Sequence, residues 1–273
     1  MERWESFARN LLAEENLKRD LANKGLQNIS LFAYDTVDST NTRAKLFASS
    51  RVAGISPAIF ISRAQSAGRG TRARTFESPE GAGLYMSILL PGSAASKNPQ
   101  LLTSYTAVAV SRAIFSASGG KIKPRIKWVN DIVLSDRKLG GILTEAAYND
   151  RGERFFIVGI GINLSPAAHS DEVLSLMTTL FECGFKIDAH ELLCHIACEF
   201  FSSLDTYDSD VITEQYRALS SLIGRRVEIS GIDDGCIATA IDIDNNRAIV
   251  IRRDDGSIKK YCSGDVSIRP KGD

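Results

Sequence analysis

A chain of 273 residues holds one sizeable core with room for a small second domain, and 33 Lys+Arg against 33 Asp+Glu leaves no net field to draw nucleic acid or an anionic membrane. Charges run through MERWESFARNLLAEENLKRD and no later stretch is apolar enough to span a bilayer, so neither leader nor membrane span is expected, and a cytoplasmic protein is. Five cysteines without a CxxC pair point to reduced thiols.

In chain order, Trp4, Phe7, Ala8, Leu11 and Leu12 recur at helical spacing and predict an amphipathic helix over residues 3 to about 22, within an N-terminal segment 1–30. That segment is too short for a DNA-reading domain with its own core. LFAYDTV reads as a strand, and Asp38-Ser39-Thr40-Asn41 opens a helix behind it. AIFISRAQ and GLYMSILL are strands flanking QSAGRGTRARTFESPEG, residues 65–81. This loop sets Arg69, Arg72 and Arg74 among Gly68, Gly70 and Ala73, a cationic, mobile wrap for an anionic ligand.

PQLLTSYTAVAVSRAIFSAS predicts a largely buried helix ending at Gly119-Gly120, and RIKWVNDIVL a strand with a turn at Asn130-Asp131. KLGGILTEAAY and RFFIVGIGINL flank a hairpin turn at Asn149 to Gly152, the second run too apolar to face water. Residues 165 to about 187 read as a polar connection with a short helix. In the helix HELLCHIACEFFSSLD, His190, Cys194 and Cys198 share a face and could ligate zinc, but the neighbouring apolar stripe favours core packing. From Leu222 onward, short β-type runs between Asp-Gly and Asn-Asn turns predict a small barrel. The fold class is α+β, a mixed sheet covered by helices, with residues 31–221 as the main domain and 222–273 as the second.

Four motifs now stand in one order: Asp38-Ser39-Thr40-Asn41, the arginine loop, KWVND with DRKLGGILTE from Lys127, and GIGIN at 159–163. From about Asp35 to the end the set closely resembles biotin protein ligases, whose catalytic domain carries a C-terminal SH3-like domain. That resemblance implies activation of biotin with MgATP to biotinyl-5′-adenylate, then transfer to a lysine of a biotin carboxyl carrier domain. It implies Lys138 and Arg69 as catalytic residues. Biotin would be held by Ser39, Thr40, Asn41, Gln65, Gly68, Arg69, Gly70, Thr71, Trp128, Lys138, Gly141 and Gly161. The nucleotide would meet Arg72, Arg74, Phe76, Asn130 and Asn163, with Asp131 near phosphate-borne Mg2+.

The residue chemistry suits this. A carboxylate attacking an α-phosphate brings two anions together, and placed cations are the main help a protein offers. Ser39 and Thr40 could instead only cap a helix, Trp128 could be plain core, and Asn130-Asp131 a plain turn. Gly141, Gly159 and Gly161 interrupt β-type runs as if something must approach the backbone closely. Two departures stand out: Thr71 replaces an arginine and Ala73 a glycine of the usual GRGRxGR loop, which predicts a looser hold on the adenylate. KWVND replaces KWPND with little expected effect. KxDG and GxxxxGK[ST] are absent, so the loop and sheet must hold the nucleotide. The rival readings are a lipoate ligase or octanoyltransferase and a biotin-responsive repressor or binding protein. Oligomeric state stays open, a homodimer included.

Overall fold

The computed structural model describes residues 14–50, 54–93, 99–166, 169–204, 209–231, 235–262 and 266–271. Helix α1 (Glu14–Asn23) continues the expected N-terminal helix, whose apolar positions Trp4 to Leu12 lie outside the described residues. Then come β1 (Ser30–Val37), α2 (Thr40–Ser49), β2 (Ala58–Gln65), β3 (Gly83–Pro91), α3 (Pro99–Ala117), β4 (Arg125–Lys127), β5 (Asp131–Leu134), β6 (Arg137–Tyr148) and β7 (Arg154–Asn163). The seven strands form one mixed sheet in the order β1-β2-β3-β7-β6-β5-β4, with only β1 and β2 parallel. That parallel pair is joined through α2, the crossover such pairing requires.

Alternation decides which face each strand residue covers. Leu84, Met86, Ile88 and Leu90 of β3, with Phe156, Val158, Ile160 and Ile162 of β7, join the large core beneath α1, α3 and α5 (Ala189–Ser202). Burying such a side chain stabilises by about 1.5–3 kcal/mol, so this layer fixes the sheet. On the other face α2 covers only one end, setting Ala44 and Ala48 on Phe60, Leu89, Phe155 and Ile157. Beyond α2 the same face carries Ser87, Gly159, Gly161 and Gly141, small residues that leave a hollow bordered by Leu143.

Two short helices, α4 (Asp171–Leu176) and α6 (Ser209–Leu219), flank α5, and the second sheet follows: β8 (Arg226–Gly231), β9 (Cys236–Ile243), β10 (Ile249–Arg252), β11 (Ile258–Tyr261) and β12 (Val266–Pro270). It is antiparallel in the order β11-β10-β9-β8-β12, the SH3-like unit expected, and its buried side chains continue the main core. In α5, Cys194 sits in that core, where burial pushes its thiol up to about 11, and His190 pairs with Asp20 at 2.8 Å.

RIKWVNDIVL differs from the expected strand with a turn at Asn130-Asp131. It makes two strands, β4 and β5, folded on each other with Lys127 opposite Asp131. The turn falls at Trp128 to Asn130, with a cis Trp128–Val129 peptide, so Asp131 is a strand residue and not a turn residue. Tertiary contacts set this: Tyr216 donates to the Val129 carbonyl (2.8 Å) and the Trp128 indole N–H to the Arg247 carbonyl (2.8 Å).

Candidate active site

The hollow is a cleft of about 740 Å³, the open solvent at its mouth included. Its floor is the centre of the sheet, where Gly141 faces Gly161 and Leu143 faces Gly159. The arginine loop arches over it, and the start of α2 closes one side.

The loop is more ordered than its glycines suggested. Gln65 pairs with Ser78 and Arg69 with Thr75 in antiparallel bridges, Phe76 N–H donates to the Gly68 carbonyl (2.9 Å), and Gly70 N–H to Arg74 (2.7 Å). It is a hairpin with a tight tip at Thr71–Ala73. The left-handed residue of the tip is Arg72, at φ 58° and ψ 40°. Ala73 is not among the positive-φ residues, so this conformation of the tip does not require a glycine there. Gly68 is where small size is required, since a Cβ there would stand 2.2 Å from the Phe76 carbonyl.

The three guanidinium groups have different partners. Arg69 Nη2 meets Glu145 Oε1 at 3.0 Å. Arg72 reaches the second sheet and donates to the Val266 carbonyl at 2.6 Å. Arg74 folds back on the Thr71 carbonyl and hydroxyl, both at 3.3 Å. Lys138 Nζ stands 2.6 Å from Asp131 Oδ1 and 5.9 Å from the centre of the Phe76 ring.

At the start of α2 the Ser39 side chain makes no capping bond, so a pure capping role does not describe it. Instead Asp38 Oδ1 accepts from Ser39 N–H (2.7 Å) and from Arg43 Nε (2.8 Å), and the Arg43 bond holds the Asp38 carboxyl below its ordinary range. Gln65 Oε1 accepts from Thr40 N–H (2.8 Å), and Gln65 Nε2 donates to Ser78 Oγ (2.8 Å). Ser87 Oγ lies 2.7 Å from Thr40 Oγ1 and donates to Asn41 Oδ1 at 2.6 Å.

Of the residues singled out in the sequence, Ser39, Thr40, Asn41, Gln65, Arg69, Gly70, Thr71, Arg74, Phe76, Asn130, Lys138, Gly141 and Gly161 all line the cleft. Gly68 supports the loop from behind, against a neighbouring hollow that contains Ser78 and His169. Trp128, Arg72 and Asp131 line a second cleft, between the two sheets, which shares Thr71, Arg74, Asn130 and Leu143 with the first. Asn163 is buried at 3% exposure, with its amide donating to the carbonyls of Lys138 (3.3 Å) and Thr178 (3.4 Å), so it braces the lysine's backbone and is turned from the cleft. The floor glycines are approached by protein groups: a Cβ at Gly161 would stand 2.6 Å from the Phe76 ring, at Gly159 2.4 Å from Asn41 Oδ1, and at Gly141 3.3 Å from Lys138 Nζ.

Four contributors escaped the sequence reading. Ser87 was signalled by being a lone polar residue in the apolar run GLYMSILL, and Glu145 by its alternation with Gly141 and Leu143. Lys127 and Arg269 of the second cleft are the other two, for which only the basic character of the strands gave a sign. Burial lowers the Lys127 pKa, and nearby Arg269, Lys138 and Arg74 add to that while Asp131 opposes it. A buried cation among cations favours an anion beside it.

A cleft floored by glycines and lined by Lys138, Arg69 and Arg74 can set two anionic reactants together out of bulk water. The model of the biotin/lipoate A/B protein ligase family matches residues 33–163, from β1 to the end of β7. The bifunctional ligase/repressor BirA of Bacillus subtilis is 31% identical over 245 residues, 87% of this chain and 74% of that protein. The biotin–[acetyl-CoA-carboxylase] ligase of Paracoccus denitrificans is 30% identical over 230 residues, 79% of this chain and 91% of that one. Among solved structures, the biotin protein ligase from Aquifex aeolicus in complex with biotin and ATP superposes with a TM-score of 0.74 at 26% identity, covering 89% of this chain and 99% of that one. The chain belongs to the biotin protein ligases and is a ligase enzyme.

Proposed function

We propose that this chain ligates biotin to protein in two steps. A biotin carboxylate oxygen attacks the α-phosphorus of ATP, forming the biotinyl-5′-adenylate as pyrophosphate leaves. The amine of a carrier-domain lysine then attacks the acyl carbon, AMP departs with the bonding pair, and the amine proton passes to solvent. The observation that carries this reading is that Lys138, Arg69 and Arg74 line one cleft together with Gly141 and Gly161. An ammonium is compact enough to touch carboxylate and phosphate oxygens together, while guanidinium groups grip them in pairs. Biotin would lie on the floor between Thr40 and Lys138, and the nucleotide would extend toward Arg74, Asn130 and the second cleft.

Among the described residues no group of three or more His, Cys, Asp or Glu side chains stands ready to hold a metal. Asp131 offers one carboxylate beside the cationic cleft, which suits Mg2+ arriving on the nucleotide's phosphates and keeping much of its water. Bound so, the ion would neutralise phosphate charge. The chain's own work is to hold the acid, orient the phosphates and exclude water. Residues 31–221 would carry this chemistry and 222–273 would close the second cleft. The acceptor would be a biotin carboxyl carrier domain of acetyl-CoA carboxylase or a related carboxylase. Among the described residues no helix is long and apolar enough to cross a membrane.

The test is incubation with ATP, biotin and a purified carrier domain, read by mass, with lipoate as the competing acid. A biotinyl increment dependent on ATP is expected. Lys138→Ala should abolish adenylate formation with the fold retained. Transfer of lipoate in preference to biotin, or full turnover by Lys138→Ala, would sink the assignment or the role.

A further inference from the structure

Asn41 lines the cleft, but both ends of its amide are turned to the protein. Its Oδ1 accepts from Ser87, and its Nδ2 donates to Glu145 Oε2 at 2.7 Å, with the Leu143 carbonyl at 3.5 Å. The side chain fits there because Gly159 has no Cβ, which would stand 2.4 Å from Asn41 Oδ1. Asn41 is 3% exposed, so its bonds are made in a dry setting where geometry is strict.

Glu145 is the far end of this brace. Alternation along β6 sets it on the same face as Gly141 and Leu143, one step beyond the floor. It does not line the cleft, whereas Arg69 does. One carboxylate oxygen is held by Asn41 and the other meets Arg69 Nη2. Arg72 and Arg74 meet neutral oxygens, of Val266 and Thr71, so Arg69 is the loop arginine seated on a carboxylate. A half-exposed guanidinium loses rotamer freedom when it grips a ligand, and one already held in place loses less. A carboxylate occupies one edge of the planar group and leaves the remaining N–H groups directed elsewhere.

We propose that Glu145, steadied by Asn41 and Ser87, is the positioning residue for Arg69, presetting its guanidinium for the anionic reactants. This rests on the ligase reading above. Glu145 acts through Arg69 and touches neither biotin nor nucleotide, so its effect belongs in the rate of adenylation and not in the KM for biotin. A glutamine at this position keeps the size but has one acceptor oxygen for two donors.

The experiment is a double-mutant cycle read by biotin-dependent exchange between ATP and pyrophosphate, using the full chain. Glu145→Gln is expected to lower kcat by about tenfold or more, as loss of an orienting partner commonly does, with the KM for biotin within about twofold. The double variant with Arg69→Ala should be no slower than Arg69→Ala alone, because the brace has nothing left to hold. Glu145→Asp, which keeps the charge but withdraws it by one methylene, should fall between wild type and Glu145→Gln. It also supplies the cycle if Glu145→Gln melts lower. Losses that multiply in the double variant, or wild-type kcat in Glu145→Gln, would overturn the inference while leaving the ligase reading intact. Absence of exchange in the wild type would overturn the reading and the inference with it.

Discussion

Thr71 sits at the tip of the arginine hairpin, and both its carbonyl and its hydroxyl accept from Arg74. The substitution of threonine for arginine here therefore does two things. It removes one cation from the loop, and it supplies an acceptor that draws a second cation back onto the loop. Both effects reduce the positive charge facing the cleft, so the activated acid should escape more readily than from a tip with arginine. Thr71→Arg is expected to slow release of biotinyl-adenylate into solution several-fold, by about 1 kcal/mol if one charge-assisted bond is restored. Adenylate captured from the supernatant in single turnovers measures it. Release from Thr71→Arg as fast as from wild type would remove the tip from the account.

At the scale of elements, the site depends on two neighbouring strands that give up side chains at the same height. Gly141 on β6 and Gly161 on β7 are directly paired, and the Phe76 ring lies on the latter where a Cβ would be 2.6 Å away. Gly161→Ala should therefore push the ring toward the cleft and weaken biotin binding by about 1–3 kcal/mol, the range for overpacking, with little change in strand geometry. Calorimetric titration would show it, and unchanged affinity would mean that the ring yields freely. These strands were legible because β3 and β7 are long apolar runs and the turn at Asn149 to Gly152 is hairpin chemistry. The glycines announced the floor because they interrupt β-type runs otherwise rich in large apolar residues. The break at Trp128 was not legible. It is fixed by Tyr216, 87 residues on, and by Arg247, 119 residues on, and local pattern carries no trace of such partners. Glu145 escaped notice although it alternates with Gly141 and Leu143, because its pairing with Arg69 joins a strand to a loop far away in sequence. Asn163, assigned to the nucleotide through the resemblance, instead gives its amide to the carbonyls of Lys138 and Thr178, partners 25 and 15 residues away that local pattern does not show.

For the whole molecule, the decisive feature is Arg247, in the turn between β9 and β10. It is 1% exposed at φ 66°, and reaches out of the second sheet into the main domain. Its Nε donates to Ser104 Oγ of α3 (2.7 Å) and its Nη1 to Thr213 Oγ1 of α6 (2.5 Å), while its carbonyl takes the Trp128 indole. Arg247→Ala would leave buried hydroxyl and carbonyl acceptors without their donors and open a void, so a loss of about 2–4 kcal/mol in urea unfolding is expected. Unfolding in one transition before and after substitution would fit a shared core, and an unchanged midpoint would contradict it. The same turn bears on the KWVND segment, through which the small sheet touches the wall shared by both clefts.

The bond from Arg72 to the Val266 carbonyl spans 194 positions in the sequence. A polypeptide still being made thus owns every cation of its arginine hairpin long before it owns the anchor point for one of them. Completion of β12 is what gives Arg72 its mooring.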